Sequence, residues 1–225
     1  MTDWSPAFLS RLVHELRTPL ASMRIAAEML AEDPRVPASL GNTTAGLGRA
    51  VADLDDLLEE VGEINRIRSG RTQPSAKPLD AARLFAEVTR STAGDVAGNG
   101  AVLTVNAELP GETSPPSTDA TLLARALGCL VRSACAGGAR RLELGCVAAP
   151  AAVFFELRDD GPPPEARDQE RFFEPLSPHG RARRAHGGTG LGLPLAHAIA
   201  VLLGGDLSVR AEGGGTVLSL RLPRG

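Results

Sequence analysis

Tyrosine is absent from the 225-residue sequence, tryptophan occurs once and aromatic residues amount to 3%. Single-stranded nucleic acids are held largely by stacking on such rings, so no nucleic-acid partner is expected. The 24 basic and 27 acidic side chains leave a net charge of -3, with no global positive field for a phosphate backbone or an anionic membrane. No apolar run approaches the roughly 18–20 residues that span a bilayer, so this chain carries no membrane segment. The N-terminus lacks the basic and apolar regions of a secretion signal. The three cysteines, Cys129, Cys135 and Cys146, have no metal-ligand spacing. Their odd number, without a secretion signal, points to reduced thiols and a cytoplasmic setting. Asparagine is missing from every position after Asn106. Against these absences, 43% apolar and 23% charged residues are ordinary for a globular chain, and the length allows one or two domains.

The first strong pattern is helical. Phe8, Leu9, Leu12, Val13, Leu16, Leu20 and Met23 recur every three to four positions, as on one face of an amphipathic helix. Ser5 is placed as its N-cap and Pro6 as its first helical residue. The helix should run to about Ala31, where Asp33, Pro34 and Pro37 break it. A second helix is predicted from Ala38 to Arg68, with Leu47, Val51, Leu54, Leu57, Leu58, Val61, Ile64 and Ile67 apolar. Asp53, Asp55, Asp56, Glu59 and Glu60 would cluster on its other side. Each helix would be about 40 Å long, and a short loop makes them an antiparallel hairpin. One hairpin cannot bury both stripes, whereas two close a four-helix bundle, so a homodimer is expected.

His14, Glu15 and Thr18 fall off the apolar stripe. Positions 14 and 18 are one turn apart and share a face, with Glu15 beside them. A nucleophile, a neighbouring base and a hydroxyl would thus project from one patch. An interior proline costs a helix roughly 3 kcal/mol, so Pro19 suggests a kink kept for a purpose.

Residues 71–78 read as a linker, rich in turn formers. Beyond it, helical patterns at 80–97, 119–135 and 191–203 alternate with strand patterns at 101–109, 142–147, 152–158, 206–210 and 216–222. The expected fold is therefore α+β: an N-terminal helical hairpin (1–70), then an α/β sandwich (79–225) with helices on one face of a mixed sheet. Gly187-Gly188-Thr189-Gly190-Leu191-Gly192-Leu193 opens the last helix. Glycines admit close backbone approach, and a helix N-terminus offers unpaired N–H groups, which together suit a polyphosphate. No strand leads directly into this loop, which argues against a dinucleotide fold, and the Lys-Ser/Thr ending of a Walker loop is missing.

The run His14-Glu15-Leu16-Arg17-Thr18-Pro19-Leu20 resembles the phospho-acceptor box of sensor histidine kinases. Asp159-Asp160-Gly161, then Arg171-Phe172-Phe173-Glu174-Pro175-Leu176, then the glycine loop resemble, in that order, the ATP-binding domain of the same family, which shares its fold with gyrase, Hsp90 and MutL. The resemblance implies a dimeric four-helix bundle and a catalytic domain that uses ATP with Mg²⁺. His14 would be the phosphorylated residue, Glu15 the general base and Thr18 the residue positioning a water for dephosphorylation. Asp159 would bind the adenine amino group and Gly161 keep the adenine pocket open. Phe172 and Phe173 would anchor a lid containing Arg181, Arg183 and Arg184. Gly188, Thr189, Gly190, Leu191 and Gly192 would lie beside the phosphates. The partner implied is a response-regulator receiver domain, which accepts the phosphoryl group on an Asp.

Two departures stand out. The helix at 119–135 carries Cys129 and Ser133 where the family has the Asn of its Mg²⁺ box, and Ala136 where a basic residue follows. Pro163 replaces a further glycine. A Ser hydroxyl is a weaker donor to Mg²⁺ than an amide carbonyl, and phosphoryl transfer depends on positioning and charge neutralisation. The sequence therefore supports two readings, an active histidine kinase or a degenerate relative acting as phosphotransfer protein, phosphatase or scaffold. It assigns no metal ligand.

Overall fold

The computed structural model describes residues 5–106, 116–165, 169, 171–175 and 189–224. Two compact units, Met1–Arg71 and Thr72–Gly225, divide the chain.

The first unit is a helical hairpin. Helix α1 spans Pro6–Glu32, and Ser5 caps it by accepting a hydrogen bond from the Phe8 amide at 3.3 Å. It continues through Pro19 as one helix. A loop and a short 3-10 turn, Ala38–Leu40, lead to α2, Gly41–Arg68. Asp33 shapes the loop by accepting from the Arg35 amide at 2.8 Å and pairing with its guanidinium.

Val13, Leu20 and Ala27 are the buried residues of α1, seven positions apart, which is the seam period of paired helices. Gly62 admits the close approach: a Cβ there would lie 3.5 Å from Val13 Cγ1. The apolar stripe is therefore split. Phe8, Leu12, Leu16, Met23 and Leu30 on α1, with Leu47 and Leu54 on α2, remain exposed beside the seam. Glu60, expected among the outward acidic residues, is buried. Its spacing of four from Ile64 and seven from Ile67 puts it on their face.

Asn65, also buried, ties the open end of the hairpin. Its Nδ2 donates to the Pro6 carbonyl and to Ser10 Oγ, each at 2.9 Å. Arg71 donates to the same Ser10 Oγ at 2.7 Å. Asn65→Ala should cost about 1–3 kcal/mol, the range for leaving buried polar partners unmatched. Urea unfolding of the full chain checks this, and a loss indistinguishable from zero would show that the knot carries no stability.

In the second unit, β1 (Lys77–Pro78) pairs antiparallel with β3 (Ser117–Thr118), so the end of the expected linker is a strand. Asp80 caps α3, Ala81–Gly98, by accepting from the Arg83 amide. Strand β2 (Val102–Val105) follows, and residues 107–109 of its expected extent lie outside the described residues. Asp119 caps α4, Ala120–Ala136, accepting from the Thr121 and Leu122 amides. Strands β4 (Arg141–Ala148) and β5 (Ala152–Asp159), helix α5 (Gly192–Leu202), and strands β6 (Asp206–Glu212) and β7 (Gly215–Pro223) complete the unit.

The main sheet has the order β2-β4-β5-β7-β6, with β2 parallel to β4 and the other pairs antiparallel. Alternate residues of β4 and β5, among them Leu142, Leu144, Phe155 and Leu157, are buried with Phe85, Leu127, Leu195 and Ile199 of the helices. This is the mixed sheet with helices on one face that the sequence pattern suggests. On its other face Glu156, Arg158, Arg210 and Glu212 form a closed ring of ion pairs. The β6–β7 turn has two residues, Gly213 and Gly214, with φ of 59° and 85°. Both angles need glycine, and this turn geometry matches the strand twist.

Candidate functional site

On α1, His14, Glu15 and Thr18 are all exposed. The Thr18 carbonyl accepts from Ser22 Oγ at 3.3 Å. Pro19 has no amide to donate one turn back, to the carbonyl of Glu15. Further along the same face lie Ile25 and Met29, 55% and 68% exposed. Imidazole, carboxylate and hydroxyl therefore share one solvent-facing patch of a rigid helix, bordered by apolar side chains.

A second constellation gathers where β5 ends. Asp159 is half-buried and its Oδ1 accepts from the Gly161 amide at 2.8 Å. A Cβ on Gly161 would lie 2.8 Å from that oxygen and 3.4 Å from Ala139 Cβ, so only glycine fits without displacing the carboxylate. From the other side, a Cβ on Gly215 would lie 2.0 Å from the Asp159 carbonyl oxygen. Thr216, buried and opposite Asp159 in the β5–β7 register, donates to the Pro162 carbonyl at 3.5 Å. Burial pushes the Cys135 thiol up, and the Asp95 and Asp159 carboxylates push it the same way.

Asp160 braces the neighbouring turn. Its Oδ1 accepts from the Arg140 and Arg141 amides at 2.7 and 2.9 Å, and its Oδ2 from Arg141 Nε at 3.1 Å. The Arg141 amide first, then the Arg140 amide, holds its carboxyl below the usual carboxylate range. A depressed folded value means that the stabilisation is complete above the unfolded value, near 3.9, and is lost as pH falls through the folded one. Acid unfolding below about pH 4 should therefore be shallower in Asp160→Asn than in the parent chain. Denaturation curves at successive pH values measure this, and parallel curves would remove Asp160 from the acid response.

Thr189, Gly190, Leu191 and Gly192 lie at the start of α5, while Gly188, Arg181, Arg183 and Arg184 fall outside the described residues. Gly190 has φ 76° and the Leu191 amide donates to Thr189 Oγ1 at 3.2 Å. Leu191 stands at the N-cap without a side-chain cap, so the first turn of α5 presents amides that no side chain of its N-cap satisfies. Helix α4 packs on α5. On α4, Cys129 and Ala136 are buried and Ser133 is half-buried. The helix contains no Asn, Asp or Glu. Among the described residues, no group of three His, Cys, Asp or Glu side chains could hold a metal ion. The donors of α4 therefore do not fit a protein-held Mg²⁺, which needs near-octahedral oxygen ligation.

Phe172 is buried, and Phe173 meets it edge-on at 5.4 Å. Phe173 also stacks on His197 of α5, with ring centroids 5.6 Å apart and 10° between planes. His197 lies 3.8 Å from Asp206. His197 is not marked in the sequence, because a single His in an apolar helix carries no signal of the ring that covers it.

Comparison with known proteins follows this division. Residues 7–70 match the His Kinase A (phospho-acceptor) domain, and residues 118–225 match the histidine kinase-, DNA gyrase B-, and HSP90-like ATPase family. The chain is 33% identical over 222 residues to the sensor histidine kinase GtrS of Pseudomonas aeruginosa, covering 96% of this chain and 41% of GtrS. It is 28% identical over 226 residues to the sensor-like histidine kinase SenX3 of Mycobacterium tuberculosis, covering 96% of this chain and 53% of SenX3. The chain thus spans about half the length of such relatives, or less. Full-length ShkA, solved in complex with AMPPNP, has a TM-score of 0.79 at 22% identity, over 97% of this chain and 46% of that one. ThkA, solved in complex with the response regulator protein TrrA, has a TM-score of 0.64 at 19% identity, over 96% of this chain and 60% of that one. These two likenesses concern the fold.

Proposed function

This chain belongs to the histidine kinases, and we propose that it transfers the γ-phosphoryl group of ATP to its own His14 and from there to an Asp of a response regulator. An imidazole nitrogen of His14 attacks the γ-phosphorus, the bond to the ADP oxygen breaks, and Glu15 accepts the proton from the other ring nitrogen. Thr18, one turn on, orients water when the phosphorylated regulator is hydrolysed. Asp159 takes the adenine amino group and Gly161 leaves room for the ring. Gly188, Thr189, Gly190, Leu191 and Gly192, with the α5 amides, receive the phosphates.

The observation that carries this reading is the pairing, in one chain, of an exposed His14–Glu15–Thr18 face with the glycine-flanked Asp159 and a helix start lacking a side-chain cap. Homodimerisation is supported by the exposed row Phe8, Leu12, Leu16, Met23 and Leu30 beside the buried seam. Ile25 and Met29 on the His14 face support docking of a receiver domain. Cytoplasmic residence is supported by the buried cysteines Cys129, Cys135 and Cys146, none of which is in a disulfide. Among the described residues, no helix is long and apolar enough to cross a membrane.

A second reading, a degenerate relative that exchanges or removes phosphoryl groups without using ATP well, is favoured by one observation, the lack of any amide or carboxylate side chain on α4. Incubation with γ-labelled ATP and Mg²⁺ separates the two. Label on His14 supports the kinase; no label, with uptake of phosphoryl from a phosphorylated regulator, supports the alternative. Ser133→Asn should raise the labelling rate about ten-fold or more, as expected when a missing ligand limits phosphoryl transfer. An unchanged rate would show that Ser133 is not what limits it.

A further inference from the structure

We propose that the second unit carries a separate binding site for a small multivalent anion, in the cavity between α3, α4 and the β1–β3 ribbon. This cavity measures about 630 Å³, and Asp159, Gly161 and Ser133 take no part in its lining. It is large enough for a ligand of metabolite size.

Its charges are unequally engaged. The three carboxylates on the wall already have partners. Asp80 accepts from the Arg83 amide at 3.0 Å, and Asp119 accepts from the Ser75, Thr121 and Leu122 amides at 2.9 to 3.1 Å. Glu87 binds Arg90 through both oxygens at 2.7 Å. Two of the wall's guanidinium groups are not matched in this way. Among the described residues, Arg83 makes no side-chain ion pair, and Arg132 donates only to Cys129 Sγ at 3.5 Å and to no carboxylate. Sulfur is a weak acceptor, and a planar guanidinium is suited to bidentate contact with carboxylate or phosphate.

Two further observations point to a ligand. Thr118 lines the cavity, is 5% exposed, and its Oγ1 is buried without a hydrogen-bond partner. A buried hydroxyl left unmatched is costly, and a turn about its χ1 would offer it to an acceptor bound in the cavity. Gly128, inside α4, also lines the cavity, and a Cβ there would lie 3.4 Å from an Arg132 guanidinium nitrogen. Glycine within a helix is destabilising relative to alanine, so its presence calls for a local reason, and the space it leaves beside Arg132 is one. Two cations, an unmatched hydroxyl and a small-residue floor make a site for a compact polyanion, phosphate- or carboxylate-bearing.

The test is a titration of the ¹⁵N-labelled full chain with pyrophosphate and, separately, with citrate, at constant ionic strength. The expected result is saturable shifts at the amides of Ser75, Arg83, Thr118, Thr121 and Arg132 with at least one probe. The tighter probe identifies the headgroup. The double variant Arg83→Gln, Arg132→Gln should weaken binding at least ten-fold. Thr118→Val should weaken it as well, while leaving the melting temperature of the ligand-free chain unchanged or higher, because the hydroxyl it removes has no partner. Shifts confined to Asp159–Gly161 and Gly190, linear shifts without saturation, or affinities untouched by the double variant would each overturn the proposal.

Discussion

His14→Gln should abolish the acid-labile, alkali-stable label that the chain acquires from γ-labelled ATP, a fall on the order of 10³-fold or more, as for loss of a nucleophile. Glutamine keeps a polar side chain of similar reach but has no basic nitrogen to bond phosphorus. His14 is exposed, so stability should change by no more than about 0.5 kcal/mol, typical of surface positions. Nucleotide affinity should be unchanged, because the groups assigned to the nucleotide lie in the other unit. An unchanged melting temperature and nucleotide titration therefore accompany the expected loss. Label that persists in His14→Gln with the same acid lability would place the acceptor elsewhere and remove α1 from the chemistry.

Gly215→Ala should be strongly destabilising. Its Cβ would lie 2.0 Å from the Asp159 carbonyl oxygen and 3.1 Å from that carbonyl carbon, both backbone atoms that cannot swing aside. Relief requires β7 to separate from β5 where Asp159 pairs with Thr216. Overpacking typically costs 1–3 kcal/mol, and a backbone clash belongs at or beyond the top of that range, about 3 kcal/mol or more. For a domain of this size that lowers the melting temperature by roughly 6–12 °C. Nucleotide binding should weaken in parallel, because Asp159 moves with its carbonyl. Gly214→Ala is the control. Gly214 has φ 85° but nothing within 4 Å of a new Cβ, so only the conformational penalty of about 1–2 kcal/mol applies. Thermal unfolding with both variants decides the matter: if Gly215→Ala melts no lower than Gly214→Ala, the close approach at Asp159 is not a constraint.

What was legible in the sequence was what neighbouring residues decide. Ser5 and Pro6 start α1, Asp33 with Pro34 and Pro37 stops it, and the alternation around Leu142–Val147 and Ala152–Arg158 gives the two central strands. The order of Asp159, the Phe172–Phe173 pair and the glycine loop could also be read, although much of the segment between them lies outside the described residues. What could not be read depends on residues far apart. Lys77–Pro78 looks like linker because its partner, Ser117–Thr118, is some forty positions away. His197 looks ordinary until Phe173 stacks on it. Glu60 belongs by composition to an acidic surface, but its periodicity with Ile64 and Ile67 prevails. The turn at Gly213–Gly214 is shorter than the gap between the strand patterns at 206–210 and 216–222, because Ala211 pairs with Thr216 and Glu212 with Gly215 across the ladder.

The knot at the open end of the hairpin has a mechanical consequence. Ser10, on the second turn of α1, is gripped both by Asn65 near the end of α2 and by Arg71 just beyond it. The two ends are separated by about sixty residues of chain but by single hydrogen bonds in space. A twist or axial pull at the start of α1 is thus delivered directly to the chain leaving α2, without travelling up one helix and down the other. Amides at 8–12 and 66–71 should then exchange with a common protection, opening as one latch. In this hairpin the input and the output are two handles of the same lever.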